Sequence, residues 1–154
     1  MEILTGSIRF GLWFVHVSWQ DRNVYRIAFA KSGSPGPTPL LLRRYLNGQQ
    51  TDPTELNTPA TEEGFPYAAI YRAVQAVPYG CTATYGEIAR SSGTSPRVVG
   101  LAMARNPTPL VVPCHRIVSA RGIGGFTPDL AIKEGLLTME KRVLSQSSLK
   151  TGSI

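Results

Sequence analysis

Two reactive side chains stand next to each other in "PLVVPCHRIV", residues 109–118: the thiol of Cys114 and the imidazole of His115. A cysteine attacks as its thiolate, so a nucleophilic one needs a base, a cation or a helix start nearby to lower its pKa. Adjacent residues of a regular strand point to opposite faces, which keeps the ring from simply touching the sulfur. Pro113 argues that the backbone bends here, so that a turn or a water relay brings the imidazole into play. The histidine also needs an acceptor to orient it, and Glu134 in the last predicted helix is the candidate. The competing reading is an inert core cysteine within a buried, strand-like apolar run. Cys81, the other cysteine, reads as structural or surface, and His16 as a strand residue. Neither cysteine has metal-ligand spacing, so no metal is expected.

The elements that must position this pair are readable from periodicity. "WFVHVSW" (13–19) alternates Trp13, Val15, Val17 and Trp19, and "VYRIAFA" (24–30) alternates Tyr25, Ile27 and Phe29. With "QDRN" between them as turn chemistry, the segment is a β-hairpin. "KSGSPGPTP" reads as an exposed loop, "LLLRRYLNG" as a short helix stopped by Gly48, and the polar, proline-punctuated stretch up to Gly64 as a connection between lobes. Residues 1–64 then form an N-terminal α/β lobe, and 65–154 a mostly helical C-terminal domain with a frayed polar tail from about residue 145. In "FPYAAIYRAVQAV" the apolar residues Ile70, Ala73, Val74 and Val77 recur at helical spacing. "TYGEIARSSG" opens with Thr84 and places Glu87 three residues later, a capping box that Gly93 closes. "SPRVVGLAMARNP" begins again with Ser95 as cap and Pro96 in the first turn, completing a helix-turn-helix pattern. A last helix is capped by Thr127, led by Pro128, and carries a core stripe of Ile132, Leu136, Met139 and Val143.

The second helix of the pair is a poor reader of a major groove. Val99, Ala102 and Met103 face the core, leaving Arg97, Gly100, Leu101 and Ala104 outward. Base-edge recognition wants several hydrogen-bonding side chains, and here there is one arginine among small residues. Such a surface suits close approach to a narrow groove with one residue inserted as a wedge; an ordinary core helix pair is the alternative. A net charge of +6 permits a polyanionic partner without requiring one. No run approaches the ~18 apolar residues of a membrane span, and no secretory signal is visible. Two cysteines are too few for a disulfide framework, so the expected compartment is a reducing, prokaryotic-type cytoplasm, with a nucleus left open.

Taken in order, "VPYGCTATYGEIA", "SPRVVGLAMARNP", "LVVPCHRIV", "GIGGF" and "LAIKEGLL" resemble the O6-alkylguanine-DNA alkyltransferases, also called methylated-DNA–protein-cysteine methyltransferases, over about residues 65–144. The resemblance implies a ribonuclease H-like first lobe and a winged-helix-like second domain. It implies binding of double-stranded DNA through the minor groove, extrusion of an O6-alkylguanine, and irreversible transfer of the alkyl group to Cys114. Each molecule would act once, as a monomer and without a cofactor, since the protein itself is the acceptor. Arg97 corresponds to the residue that fills the emptied stack, and Tyr85 to the one that helps turn the nucleotide out and protonate the leaving base. Asn106 corresponds to the brace of the cysteine turn. DNA contacts are further implied at Ser95, Gly100 and Ala104, and a base pocket at Met103, Pro109, Ile117, Gly125, Phe126 and Thr127. His115, Glu134 and a bridging water would take the thiol proton. Phe126 stands where several relatives have tyrosine and Thr127 where they have serine; the zinc ligands of some animal relatives are missing from the first lobe. Three other functions compete: a lesion-binding protein without transfer, a cysteine hydrolase using Cys114 and His115, and a sequence-selective helix-turn-helix regulator. The retained cysteine, the adjacency of thiol and imidazole, and the side-chain-poor helix argue against them in turn.

Overall fold

The structure, a computed structural model, describes residues 2–152. Its N-terminal part is an antiparallel sheet of β1 (Leu4–Phe10), β2 (Trp13–Gln20) and β3 (Asn23–Ala30), in that spatial order, followed by the short helix α1 (Leu40–Leu46). β1 was not anticipated, because "LTGSIRF" carries a glycine and little apolar alternation. Gly6 is required there: a Cβ would lie 2.5 Å from the carbonyl oxygens of Gly36 and Pro37, which cross over it. The expected hairpin forms with one change. Val17 pairs with Ile27 and Ser18 with Arg26, but Trp19 pairs with Val24, so Tyr25 is an extra residue. This bulge switches the inward face, burying Val24 with Ile27 and leaving Tyr25 half-buried.

The C-terminal part is helical. It comprises α2 (Ala68–Gln75), β4 (Ala83–Thr84), α3 (Tyr85–Ser92), α4 (Pro96–Ala104), β5 (Ile117–Val118) and α5 (Leu130–Gly152), with β4 and β5 paired in parallel. Local chemistry sets the ends of the helix pair. Thr84 and Glu87 close both halves of a capping box on α3, and Gly93 ends that helix in a left-handed conformation. Ser95 accepts from the Val98 N–H to cap α4, and Pro96 needs no partner for its missing N–H. α5 begins at Leu130, two residues beyond the expected Pro128. Its cap is the Asp129 carboxylate rather than Thr127: Oδ1 accepts from the Ala131 N–H, while Oδ2 accepts from the Trp13 indole at 3.3 Å. The polar stretch from Ser145, expected to fray, continues as helix to Gly152, with no proline to break it.

Two apolar clusters hold these elements. One joins Val15, Val17, Val24 and Ile27 of the sheet and Leu42 and Tyr45 of α1 to the α5 stripe Ile132, Leu136, Met139 and Val143. The other packs α2, α3 and α4 around Val74, Ile88, Val99 and Ala102, with Val112 and Ile117. Backbone hydrogen bonds tie the exposed edge of β3 to later segments, Val24 N–H to Asn57 at 2.8 Å and Ile27 N–H to Pro107 at 3.0 Å. The second of these docks the sheet onto the connection that leads to Cys114.

Leu136 is fully buried where α5 meets the sheet. Leu136→Ala should lower the unfolding free energy by about 2–5 kcal/mol, the range for a buried leucine that leaves a cavity. Urea denaturation would show this as a lower midpoint at unchanged slope.

Candidate active site

The segment 109–116 is not a strand. The Val112 N–H bonds to Thr108 at 2.9 Å and the Cys114 N–H to Val112 at 2.7 Å, and Cys114–Arg116 form a single 3-10 turn. Every residue from Thr108 to Ile117 is buried, so the carbonyls that a ladder would satisfy need other partners. The Asn106 amide donates to the Val112 carbonyl at 2.8 Å, and its oxygen accepts from the Thr108 N–H at 3.0 Å. Gln75 donates to Val111 at 3.0 Å. The bend expected at Pro113 is therefore built by side-chain clamps, and it presents the sulfur to a cavity.

That cavity measures about 440 Å³. Cys114, Tyr85, Asn106, Pro109, Gly100, Met103, Ala104, Gly125, Phe126 and Thr127 all line it, together with Ile27, Ala28 and Phe29 of β3. The β3 wall had no signal in the sequence. Phe29 meets Phe126 edge to face at 5.6 Å between ring centroids, closing one side. Ile117, expected in the pocket, does not line it; its side chain is fully buried in the α2–α4 cluster while its backbone pairs with Ala83. Arg97 and Ser95 are exposed at the start of α4. Arg97 borders a neighbouring groove with Thr84, Tyr85, Arg90 and Gly100.

On the cavity side, burial raises the Cys114 thiol pKa, opposed by the Asn106 amide, the Lys133 ammonium and the backbone N–H groups of Cys114 and His115. Lys133 was not anticipated. Its Nζ donates to the carbonyls of Ile117 at 2.6 Å and Gly125 at 3.2 Å, and burial lowers its pKa against the pull of Cys114. Burial, then the nearby sulfur, raises the Tyr85 phenol, while the Gly125 N–H lowers it. Gly124 has a φ of +80°, and a Cβ there would lie 3.1 Å from the Tyr85 hydroxyl and 3.3 Å from Lys133 Nζ. A glycine is needed for both reasons.

Behind the sulfur, the partner of His115 is Glu140, and this corrects the expectation for Glu134. His115 Nε2 lies 2.7 Å from Glu140 Oε2, whereas Glu134 is exposed. Residues of a helix rotate by about 100° each, so the face carrying Lys133, Leu136 and Glu140 turns Glu134 to solvent. The buried stripe was legible, and Glu140 follows Leu136 by one turn; that spacing was the missed signal. Glu140 also accepts from Arg116 Nε at 3.0 Å and Nη2 at 3.1 Å, from the Gly80 N–H at 2.8 Å and from the Tyr45 hydroxyl. Arg116, fully buried, reaches on to Asp52 at 3.3 Å and to the Val77 carbonyl at 3.1 Å. Burial alone would raise the Glu140 carboxyl, but hydrogen bonds and charge from His115 and Arg116 outweigh it and hold it at about 2. Burial lowers the His115 pKa despite Glu140, so the ring is neutral near neutral pH. With Nε2–H directed at a carboxylate, the other nitrogen, Nδ1, carries the lone pair; it is buried with no protein partner among the described residues. A neutral imidazole with a free acceptor nitrogen, on the residue next to the thiol in the chain, has the chemistry to act as a general base.

The 6-O-methylguanine DNA methyltransferase DNA-binding domain matches residues 66–142, half of the chain. The chain belongs to this family. A methylated-DNA–protein-cysteine methyltransferase of Metallosphaera sedula is 37% identical over 113 residues, 71% of this chain and 69% of that one. The crystal structure of the Mycobacterium tuberculosis O6-methylguanine methyltransferase superposes with a TM-score of 0.74 at 25% identity, covering 92% of this chain and 94% of that one. M. tuberculosis OGT in complex with DNA gives 0.74 at 26% identity over 89% and 92%. The matched domain of this methyltransferase contains the helix pair, the Cys114 turn and the buried Glu140. Among its described residues, no helix is long and apolar enough to cross a membrane.

Glu140→Gln should destabilise the fold by about 3–5 kcal/mol, because the buried Arg116 guanidinium loses its principal counter-charge. The stability that the Glu140 shift contributes is fully present above the ordinary carboxyl value of 4.5 and is lost as pH falls towards about 2. The Glu140 contribution to the wild type's unfolding free energy should hold from about pH 7 to about pH 5 and fall from there towards about pH 2, so the variant, which lacks this group, should lose less over that acid range.

Proposed function

We propose that the chain repairs duplex DNA by taking the alkyl group of an O6-alkylguanine, chiefly O6-methylguanine, onto Cys114 in a single irreversible turnover. The observation that carries this is the sulfur's position: it opens into a base-sized cavity, with a neutral imidazole oriented behind it by Glu140. The names of the family and of its relatives point to the same chemistry.

A base within the stack cannot reach this cavity, so it must be turned out of the duplex at a cost of about a few kcal/mol. α4 presents Gly100, Leu101 and Ala104 for close approach to a minor groove, and Arg97 fills the space the base leaves. Tyr85, at the first turn of α3, assists the extrusion from the cavity rim. A water between the thiol and His115 Nδ1 carries the proton away. The thiolate displaces the alkyl carbon from O6, the C–O bond breaks as the C–S bond forms, and the departing guanine takes a proton from the side of Tyr85. In net terms the thiol hydrogen replaces the alkyl group on the base. Hydrogen-bond donors already in place stabilise charge on the leaving purine better than water that must reorient. The thioether is a poor leaving group, which makes the protein a spent reagent and dispenses with a cofactor.

Residues 1–64 act as a reduced ribonuclease H-like lobe and 65–154 as the DNA-binding and alkyl-acceptor domain, using its helix pair in a winged-helix-like manner. The chain works as a monomer on DNA in the cytoplasm.

Incubation with an O6-methylguanine duplex should add one methylene mass to the Cys114 peptide, read by mass spectrometry. Lesion DNA bound with an unchanged protein mass would overturn the reading. Arg97→Ala should slow repair of the duplex by about tenfold or more, the kinetic equivalent of ~1.4 kcal/mol, while reaction with the free alkylated base stays near wild type. Equal losses on both substrates would rule out a wedge.

A further inference from the structure

We propose that Tyr45, supplied by the N-terminal lobe, is a positioning residue of the alkyl-transfer site: its hydroxyl holds the Glu140 oxygen that orients His115. The inference rests on the alkyl-transfer reading above and adds a role for a lobe that also contributes the β3 wall of the cavity and the Asp52 contact to Arg116.

Tyr45 is completely buried in the last turn of α1, a position set by the packing of Leu42 and Leu46 beside it. Its hydroxyl donates to Glu140 Oε2, the same oxygen that receives His115 Nε2, and it lies 3.2 Å from that nitrogen. Carboxylate, phenol and imidazole thus form a closed triangle. The phenol keeps its proton: burial and the adjoining carboxylate hold its pKa well above 10.0. Its proton therefore goes to the carboxylate, and whatever charge it draws from Oε2 is withheld from the ring; its oxygen, 3.2 Å from Nε2, is the more distant of the two acceptors that face the ring N–H. A carboxylate with fewer donors binds an imidazolium more strongly and makes the histidine easier to protonate.

Other groups press on the ring as well. Arg116, from the same turn, and Lys133, from α5, disfavour a second positive charge, and Glu140 favours it. Tyr79 packs edge to face on Tyr45 with its ring 5.6 Å from the Arg116 guanidinium, while Asp52 partly neutralises that guanidinium from the far side. Of these groups, Tyr45 is unusual in touching both the carboxylate and the imidazole. It can change the base without changing the net charge of the site.

The sign follows. Thiol deprotonation needs neutral His115, so the transfer rate climbs with pH as the ring loses its proton. Tyr45→Phe removes the donor, strengthens the hold of Glu140 on the imidazolium and moves the acid limb to higher pH.

The test is single-turnover transfer from an O6-methylguanine duplex, followed from about pH 5 to about pH 8, the range in which a perturbed histidine titrates. The Tyr45→Phe profile should shift up by about half a unit or more, with a roughly three- to tenfold loss on the acid side and a plateau within about twofold of wild type. Affinity for lesion DNA should be unchanged. A fluorinated tyrosine at position 45, nearly isosteric and a stronger donor, should shift the limb the other way, and it keeps the test alive if the phenylalanine variant folds poorly. A Tyr45→Phe profile that is merely scaled down at every pH, or a fluorinated protein with no shift, would overturn the role of Tyr45. Absence of transfer by the wild-type protein would instead refute the underlying alkyl-transfer reading.

Discussion

A carboxylate without partners inside a protein is among the most expensive groups to bury, and Glu140 is wholly buried in the middle of α5. Its charge is tolerated because donors converge from separate parts of the chain: Tyr45 in α1, Gly80 in the turn before β4, and His115 and Arg116 beside the cysteine. None of these donors can be satisfied by another arrangement of one element alone. The two lobes, the last helix and the active-site turn must therefore dock together. Apolar packing supplies the force that drives α5 against the sheet, while this one anion dictates the register in which it seats.

The same anion also divides the site into two electrostatic halves. On its own side a histidine is kept neutral and is told which nitrogen carries the proton. On the cavity side, burial keeps the sulfur protonated at rest, with Asn106, Lys133 and backbone N–H groups ready to favour the anion. Thiol and imidazole both rest uncharged. The free protein thus carries a protonated thiol rather than an exposed thiolate, which suits the single irreversible transfer proposed above.

Much of this was legible in the chain. Helix caps announce themselves because they use specific side chains at fixed offsets, and Thr84, Glu87, Gly93 and Ser95 all act as their spacing suggests. The α5 stripe was equally plain, since burial on one helical face enforces its period. Glu134 near the start of the helix lies closer to the histidine in sequence than Glu140 does, but helical rotation decides which carboxylate faces inward. β1, the bulge at Tyr25 and the β3 wall of the cavity were hidden for a different reason. They depend on close approach of distant backbone, as at Gly6 beneath Pro37, which leaves no periodic trace. Lys133 and Arg116 carry no such signal, because charged residues are so seldom buried.

The guanidinium of Arg116 joins the two parts of the chain, with Glu140 on one side and Asp52, from the segment after α1, on the other. A family model that matches only residues 66–142 invites the view that this half is a portable module. The wiring says otherwise. Cutting between the lobes would take Asp52 from Arg116, leaving Glu140 as its one carboxylate partner among the described residues, and would leave a phenol-shaped gap against the histidine, so the second half cannot be moved onto a new partner without a substitute for both.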